Sequence, residues 1–149
     1  MAYQDDIKKA AALLLPWNKL SGCNILVTGA TGLIGGCLVD VLMAHKGRNY
    51  NVYASGRNEE RAGRRFLKYA DDNAFHFVKY DVAQPLEYDV NFQYIIHAAS
   101  GAYPEEFIKH PVEVIKGNIN GLDNLMGYGI QHGIKRCLLY TSPSPRDTR

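Results

Sequence analysis

The sequence predicts an α/β protein built on a doubly wound parallel sheet of about five strands. Short apolar runs alternate along the chain with stretches whose apolar residues recur at helical spacing. Three glycines follow the first apolar run directly, where a strand would turn into a helix. Strands that alternate with helices favour a parallel sheet covered on both faces, because right-handed crossovers return each helix onto the sheet. The 149 residues suffice for about one domain.

The predicted elements follow one another without an internal repeat. Strands are expected at 24–29, 50–55, 75–82 and 94–100, and from residue 137 onward. Helices are expected from Leu33 to about Gly47, from the N-cap Asn58 to about Tyr69, and from Pro111 to Gln131. A short amphipathic helix is expected in the apolar run from Ala10 to Leu15, which Pro16 ends.

Composition and charge exclude several classes of function. A net charge of +2 with 21% charged residues provides no basic surface for nucleic acid. Cys23, Cys37 and Cys137 have no paired spacing, which indicates a reducing compartment rather than a disulfide framework or a metal site. The N-terminal apolar run is too short to span a bilayer and lacks a cleavage pattern. We therefore expect a cytoplasmic protein with no metal, membrane or nucleic-acid partner.

The glycine turn carries the strongest functional signal. Gly29, Gly32 and Gly35 form a G-x-x-G-x-x-G pattern between the first strand and its helix. The first glycine would allow a sharp turn, the second would let backbone N–H groups approach a pyrophosphate, and the third would let the helix pack closely on the sheet. The phosphates would lie at the helix N-terminus, which favours negative charge. A tight turn without a ligand is the alternative, but the position within a βαβ series favours a dinucleotide.

The stretch ILVTGATGLIGG (25–36) resembles the extended short-chain dehydrogenase/reductase family, the NAD(P)-dependent epimerases and dehydratases of nucleotide sugars. HAAS (97–100) continues the resemblance, as does Pro111, which precedes Asn118 and the run NINGLDNLM (118–126) by seven residues. The resemblance covers about residues 22 to 136. It implies a Rossmann-like fold, and an N-terminal fragment truncated before the rest of the sheet and the substrate lobe.

The resemblance also implies which residues hold NAD or NADP. Those in the glycine turn are Gly29, Thr31, Gly32, Leu33, Ile34 and Gly35. Those beyond it are Arg57, Asp81, Val82, Ala98, Ala99 and Asn118. Asp81 would accept a hydrogen bond from the adenine amino group with Val82 against the ring, although Asp81 could equally cap a turn. Ala98 and Ala99 would leave room for the dinucleotide, and Asn118 would order the active-site region.

Arg57 bears on the choice of cofactor. It follows the second strand, where family members that use NAD usually carry an acidic residue. A guanidinium there can pair with a 2′-phosphate, which favours NADP slightly. The alternative is a solvent-exposed arginine, with NAD bound through other contacts.

Four further side chains lie near the expected site. Thr28 and Thr31 are expected to stabilise the turn through hydroxyl–backbone hydrogen bonds. His97, in an apolar strand, is expected to be a satisfied core histidine rather than a catalyst. Tyr103 is expected to have no specific role.

The family's catalytic groups are a Ser or Thr after the fifth strand and a Tyr-x-x-x-Lys pair, in which the lysine cation lowers the pKa of the tyrosine. Ser142 falls at the serine position. None of the ten tyrosines is followed four residues later by lysine. We therefore assign no catalytic residue.

Residues 137–149 are predicted to be a non-native tail. Codons for Cys137 to Asp147 can spell the transposase adapter used in sequencing libraries, and the residues after Ser142 differ from the family's Val-Tyr-Gly turn. A genuine mobile terminus is the alternative. The expected organisation is an N-terminal helix and lead-in at 1–21, an incomplete NAD(P)-binding domain at 22–136, and the tail.

The expected function follows from the resemblance. The chain would be the cofactor-binding part of an NAD(P)-dependent nucleotide-sugar epimerase, dehydratase or reductase, and would itself be inactive. Its partners would be the dinucleotide and, in the full-length protein, a nucleotide sugar, with a possible homodimer. The alternatives are a non-catalytic NAD(P)-sensing regulator on the same fold and a single-domain carbonyl reductase.

Overall fold

A five-stranded parallel sheet forms the centre of the computed structural model, which describes residues 2–99 and 108–140. The strands are β1 (Asn24–Thr28), β2 (Asn51–Gly56), β3 (Phe75–Lys79), β4 (Tyr94–His97) and β5 (Arg136–Leu139). The helices are α1 (Ala2–Ala11), α2 (Leu33–Ala44), α3 (Glu59–Phe66) and α4 (Pro111–Gln131), with 3₁₀ turns at Trp17–Leu20 and Leu67–Tyr69.

The strand order is β3-β2-β1-β4-β5, so the chain begins at the middle of the sheet and winds outward in both directions. All four strand pairs are parallel. The predicted Rossmann-like, doubly wound fold is therefore confirmed. The winding direction reverses between β1 and β4, and in open α/β sheets ligands bind in the crevice at the carboxyl ends of the strands beside such a point.

Alternate residues of the strands fill two cores, one on each face of the sheet. Ile25 and Val27 of β1 pack in one core with Val39 of α2. Leu26 of the same strand packs in the other core with Leu125 of α4. Each of these buried aliphatic side chains stabilises the fold by about 1.5–3 kcal/mol. This burial holds α2 and α4 on opposite faces of the sheet.

The N-terminal helix differs from its predicted extent. The predicted N-terminal helix is present, but it covers Ala2–Ala11 rather than the apolar run from Ala10 to Leu15, so its predicted extent was wrong. Ile7 and Ala11, four residues apart, form the buried side of α1. Leu13 to Leu15 lie beyond the helix and are exposed. Packing against α2 selected the amphipathic segment over the more apolar one.

Two predicted strands are shorter than expected. β3 ends at Lys79 rather than at residue 82, and β4 ends at His97 rather than at residue 100. After β3, Asp81 caps a turn: its Oδ1 accepts a hydrogen bond from the Ala83 N–H at 3.0 Å. Asn and Asp side chains favour such turns over continued pairing. The turn brings residues 80–83 over the end of the sheet.

Other predicted boundaries are confirmed. α4 covers Pro111–Gln131 as expected, with proline in its first turn. Asn58 caps α3, because its Oδ1 accepts a hydrogen bond from the Arg61 N–H at 2.8 Å. α3 gives way at Leu67 to a 3₁₀ turn that ends at Tyr69.

The last strand includes part of the predicted tail. Cys137, Leu138 and Leu139 pair with Ile95 to His97 of β4. The non-native origin of residues 137–149 stays a prediction. Residues 141–149, including Ser142, lie outside the described residues, as does Tyr103.

Within residues 2–99 and 108–140, no helix combines the length and the hydropathy that a membrane span requires. Among the same residues, no cluster of three or more His, Cys, Asp or Glu side chains could hold a metal ion. The three cysteines are free.

Candidate functional site

A cleft of about 530 Å³ lies at the carboxyl end of the sheet, beside the point between β1 and β4 where the winding direction reverses. Its walls come from the glycine turn, the junction of β2 and α3, the segment after β3, the end of β4 and the first half of α4. The predicted site residues that line it are Gly29, Thr31, Gly32, Arg57, Asp81, Val82, Ala98, Ala99 and Asn118. Residues scattered over ninety positions of the chain are thus brought together around one cavity.

Gly29 sits where only glycine fits. Its φ of +66° lies in the left-handed region, which side chains disfavour. A Cβ on Gly29 would lie 2.6 Å from the Ala98 carbonyl oxygen and 2.8 Å from the Ala99 Cα. The turn after β1 therefore touches the backbone that leaves β4. This contact closes the floor of the cleft.

Gly35 lets α2 approach the turn that precedes it. A Cβ there would clash with the Gly29 carbonyl oxygen. Leu33 and Ile34 are exposed, and neither they nor Gly35 are among the residues that line the cleft. The contacts of these three residues with a cofactor stay a prediction.

The N-terminus of α2 meets the cleft at its N-cap residue and has no side-chain cap. Gly32 is the N-cap and makes no side-chain hydrogen bond. The first turn of a helix has N–H groups with no intrahelical partner, and the helix dipole adds partial positive charge there. The first turn of α2 therefore presents unshielded donors suited to an anion.

Two arginines line the cleft at the end of β2. Arg57 follows the strand and Arg61 lies in the first turn of α3. Both are exposed, and neither guanidinium forms an ion pair or a hydrogen bond with the part of the chain that the structure describes. The sequence interpretation missed Arg61. Its four-residue spacing from Arg57 across the N-cap was a usable signal.

The segment after β3 is fixed against α4. Asn124 donates from Nδ2 to the Val82 carbonyl oxygen at 3.3 Å. A Cβ on Gly121 would lie 3.3 Å from Val82 Cγ2. Tyr80 is buried beneath this segment, and burial, followed by the Asp81 charge, raises the pKa of Tyr80 to about 12. Asp81 itself is exposed at the cleft while it caps its turn.

One face of α4 and the residue before it form the wall opposite the glycine turn. Asn118 was predicted, whereas four neighbours on the same face were not. They are His110, Glu113, Val114 and Gly117. Spacings of three and four residues run from His110 through Glu113 to Gly117 and from His110 through Val114 to Asn118, which marks one helical face. The sequence pattern contained that face but did not show what it lies against.

The two threonines of the turn do not bond as predicted. The Thr28 Oγ1 lies 2.7 Å from the His97 Nδ1, so its partner is a side chain rather than the backbone. The Thr31 side chain packs on Gly56, where a Cβ would lie 3.3 Å from Thr31 Oγ1, and no hydrogen bond of this hydroxyl is found within the described ranges. Burial lowers the pKa of His97. His97 is thus a satisfied core histidine, as expected.

Comparison with known proteins identifies the family. Residues 25–145 match the model of the NAD dependent epimerase/dehydratase family. The chain belongs to this family. The match agrees with the resemblance that the glycine turn indicated. It begins after α1, so the N-terminal helix lies outside the matched residues.

A UDP-glucuronic acid decarboxylase of Arabidopsis thaliana is 33% identical over 125 residues, which are 82% of this chain and 34% of that protein. The chain spans between about a quarter and a third of the length of the curated relatives it matches.

Two solved structures share the fold. The UDP-Glc/GlcNAc 4-epimerase of Campylobacter jejuni superposes with a TM-score of 0.63 at 20% identity, over 79% of this chain and 36% of that one. A yeast methylglyoxal/isovaleraldehyde reductase in complex with NADPH gives a TM-score of 0.59 at 18% identity, over 78% and 36%.

Proposed function

We propose that this chain is the dinucleotide-binding part of an NAD(P)-dependent enzyme that acts on a nucleotide sugar. The observation that carries the proposal is the uncapped N-terminus of α2, which meets the cleft at its N-cap residue behind a turn that tolerates no side chain at Gly29. The family match supports the cofactor class. The nucleotide-sugar substrate rests on relatives whose names state such substrates, and it belongs to the full-length protein.

Each wall of the cleft has a role in this proposal. The pyrophosphate lies against the amides of Leu33 to Gly35, where the helix dipole offsets its charge. The adenine lies beside Asp81 and Val82. The small Ala98 and Ala99 leave space for the dinucleotide, and Asn118 borders the region where the substrate would meet it. The bound cofactor would supply the hydride chemistry.

We further propose that NADP is preferred over NAD. Arg57 and Arg61 place two cations without partners in the described structure at one end of the cleft. A guanidinium pairs well with a phosphate, and no carboxylate stands at residues 54–58 to accept from a ribose diol.

The 149 residues are expected to bind cofactor without turnover. They contain no Tyr-x-x-x-Lys pair, so the proton transfer that accompanies hydride transfer has no assigned group. We also propose a cytoplasmic location, because the cysteines are unpaired.

The full-length protein is proposed to form a homodimer through α4. Val112, Ile115 and Ile119 are exposed on this helix at spacings of three and four residues. Such a stripe is typical of helices that pair with another helix. Sedimentation of the full-length protein should show a dimer that Ile115→Lys converts to monomer. A dimer unaffected by this change would place the interface elsewhere.

Calorimetric titration of the chain with NADP⁺ and NAD⁺ tests the central proposal. Binding should also raise Tm, because a ligand that binds only the folded state stabilises it. UDP alone, which lacks a nicotinamide nucleotide, serves as a control. Heat and Tm unchanged by either dinucleotide would refute the proposal.

A further inference from the structure

We propose that the N-terminal helix α1, acting through the buried carboxylate of Asp40, positions α3 and so aims Arg61 at the 2′-phosphate of NADP. The inference rests on the proposed dinucleotide function. It adds a role for α1, which lies outside the family match, and for Asp40, which does not line the cleft.

Asp40 joins three segments of the chain. Its side chain on α2 is fully buried. Its Oδ2 accepts hydrogen bonds from the Tyr3 hydroxyl of α1 and from the Arg65 guanidinium of α3, each at 2.6 Å. Its Oδ1 accepts from Lys68 Nζ at 2.9 Å and from the Tyr69 hydroxyl at 2.8 Å, both in the 3₁₀ turn that follows α3. Burial alone would raise the pKa of Asp40, but these hydrogen bonds outweigh it and lower the pKa to about 2.

α1 is a built part of this cluster rather than a loose extension. Arg65 donates a hydrogen bond to the Tyr3 hydroxyl at 3.0 Å, so Tyr3 bridges the carboxylate and the guanidinium. Ile7 and Ala11 are buried, and the His45 Nδ1 donates to the Ala11 carbonyl oxygen at 2.9 Å. The helix is thus attached to α2 at both of its ends.

α3 connects the cluster to the cleft. It is an eight-residue helix in which Arg61, at the cleft, precedes Arg65 by four residues. Residues four apart lie on the same side of a helix, so the bond from Arg65 to Asp40 fixes the rotation of α3 that presents Arg61. Arg65 also lies against the first turn of α2, since a Cβ on Gly36 would be 3.0 Å from its Nη2. The cluster therefore supports two walls of the cleft from behind.

Neutralising Asp40 would remove a negative charge and could also displace α3, and these two changes have opposite effects on NADP affinity. Asp40→Asn removes an anion beside Arg65 and Lys68, so the local potential becomes more positive. That change alone would tighten binding of the additional phosphate of NADP. Displacement of α3 would instead weaken it. A loss of NADP affinity in Asp40→Asn would therefore show that α3 has been displaced.

The experiment measures Kd for NADP⁺ and NAD⁺ by calorimetry on the whole chain, for the unaltered protein, Asp40→Asn and Tyr3→Phe. Asp6→Asn is the matched control, because it neutralises an exposed carboxylate of α1 that pairs with Lys9 at the surface. We expect the NADP⁺ affinity to fall about threefold to tenfold in Asp40→Asn and to fall by a smaller factor in Tyr3→Phe. Effects of this size are typical of residues that act without contacting the ligand. The NAD⁺ affinity should change less, and Asp6→Asn should leave the ratio of the two affinities unaltered.

The outcomes separate this proposal from the one on which it rests. An unaltered chain that binds neither dinucleotide refutes the proposed function and this inference with it. Where the unaltered chain binds both dinucleotides, the ratio of NADP⁺ affinity to NAD⁺ affinity decides this inference alone. A ratio that stays constant or rises in Asp40→Asn would overturn it, and so would a ratio that stays constant in Tyr3→Phe. Tyr3→Phe removes one hydroxyl from a half-exposed side chain, so it decides the matter even where Asp40→Asn fails to fold.

Discussion

At the scale of single residues, Gly32 has the clearest link between backbone and chemistry. Its φ of −80° and ψ of 178° are extended, so a side chain is conformationally possible there. A Cβ would lie 3.2 Å from the Gly29 carbonyl oxygen, which would have to shift by a few tenths of an ångström to admit it. Glycine is thus not required for the turn itself at this position. The proposed ligand explains why a capping side chain is absent.

Gly32→Asp should separate folding from binding. Aspartate is a favoured N-cap, so Tm should hold or rise, while its carboxylate occupies the place of the pyrophosphate and weakens dinucleotide binding at least about tenfold. Gly127→Asp on α4, where the added side chain meets open space, is the control. Calorimetry and thermal unfolding measure both effects. Unimpaired binding in Gly32→Asp would place the phosphates elsewhere.

Arg61→Gln should weaken NADP⁺ binding about tenfold and leave NAD⁺ binding nearly unchanged, because it removes one charge-assisted contact with the 2′-phosphate. Arg64→Gln is matched in chemistry and lies on the same helix, where Arg64 pairs with Glu60 at the surface. It should leave both affinities unaltered. Equal losses for the two dinucleotides in Arg61→Gln would argue against the 2′-phosphate contact.

At the scale of elements, the buried carboxylate of Asp40 holds helices together and makes their packing sensitive to acid. Its pKa of about 2 in the folded protein lies below the ordinary value of 3.8. The folded state therefore releases this proton more readily than the unfolded chain does. Its contribution to stability is fully present above pH 3.8 and is lost as the pH falls toward 2.

The free energy of unfolding should accordingly fall by about 2 kcal/mol between pH 4 and pH 2 through Asp40. Urea unfolding at several pH values measures the slope. Asp40→Asn should be less stable at neutral pH and should show a shallower loss over the same interval. Identical slopes in the two proteins would mean that another carboxylate dominates acid unfolding.

At the scale of the whole molecule, the sheet depends on its last strand. β5 pairs with β4 along its full length, and the Tyr140 N–H donates to the His97 carbonyl oxygen at 2.9 Å. Cys137 packs against the core beneath α4. Residues 137–140 thus stabilise the strand from which Ala98 and Ala99 enter the cleft, whatever the origin of their codons.

A chain that ends at Arg136 should unfold at a lower urea concentration than one that ends at Tyr140. The loss of several ladder hydrogen bonds should cost about 1–3 kcal/mol. Both truncated chains keep the residues that line the cleft, so their dinucleotide affinities can be compared directly. Equal midpoints would show that β5 adds nothing to the fold.

The sequence by itself determined the features that local periodicity and backbone chemistry encode. The glycine spacing predicted the turn after β1, and Asn58 predicted the start of α3. The helical spacing of apolar residues over Pro111–Gln131 predicted the bounds of α4. The same local cues misplaced α1, since its burial against α2 depends on a partner distant in the chain.

Only the tertiary structure decided which of these elements meet. Arg61, His110 and Glu113 line one cleft with Gly29, although no local pattern relates them. Asp40 gathers Tyr3 and Arg65 from two helices for the same reason. A periodic pattern specifies the direction in which a side chain points from its own element. What it meets there is set by strand order and crossover, which are properties of the folded chain as a whole.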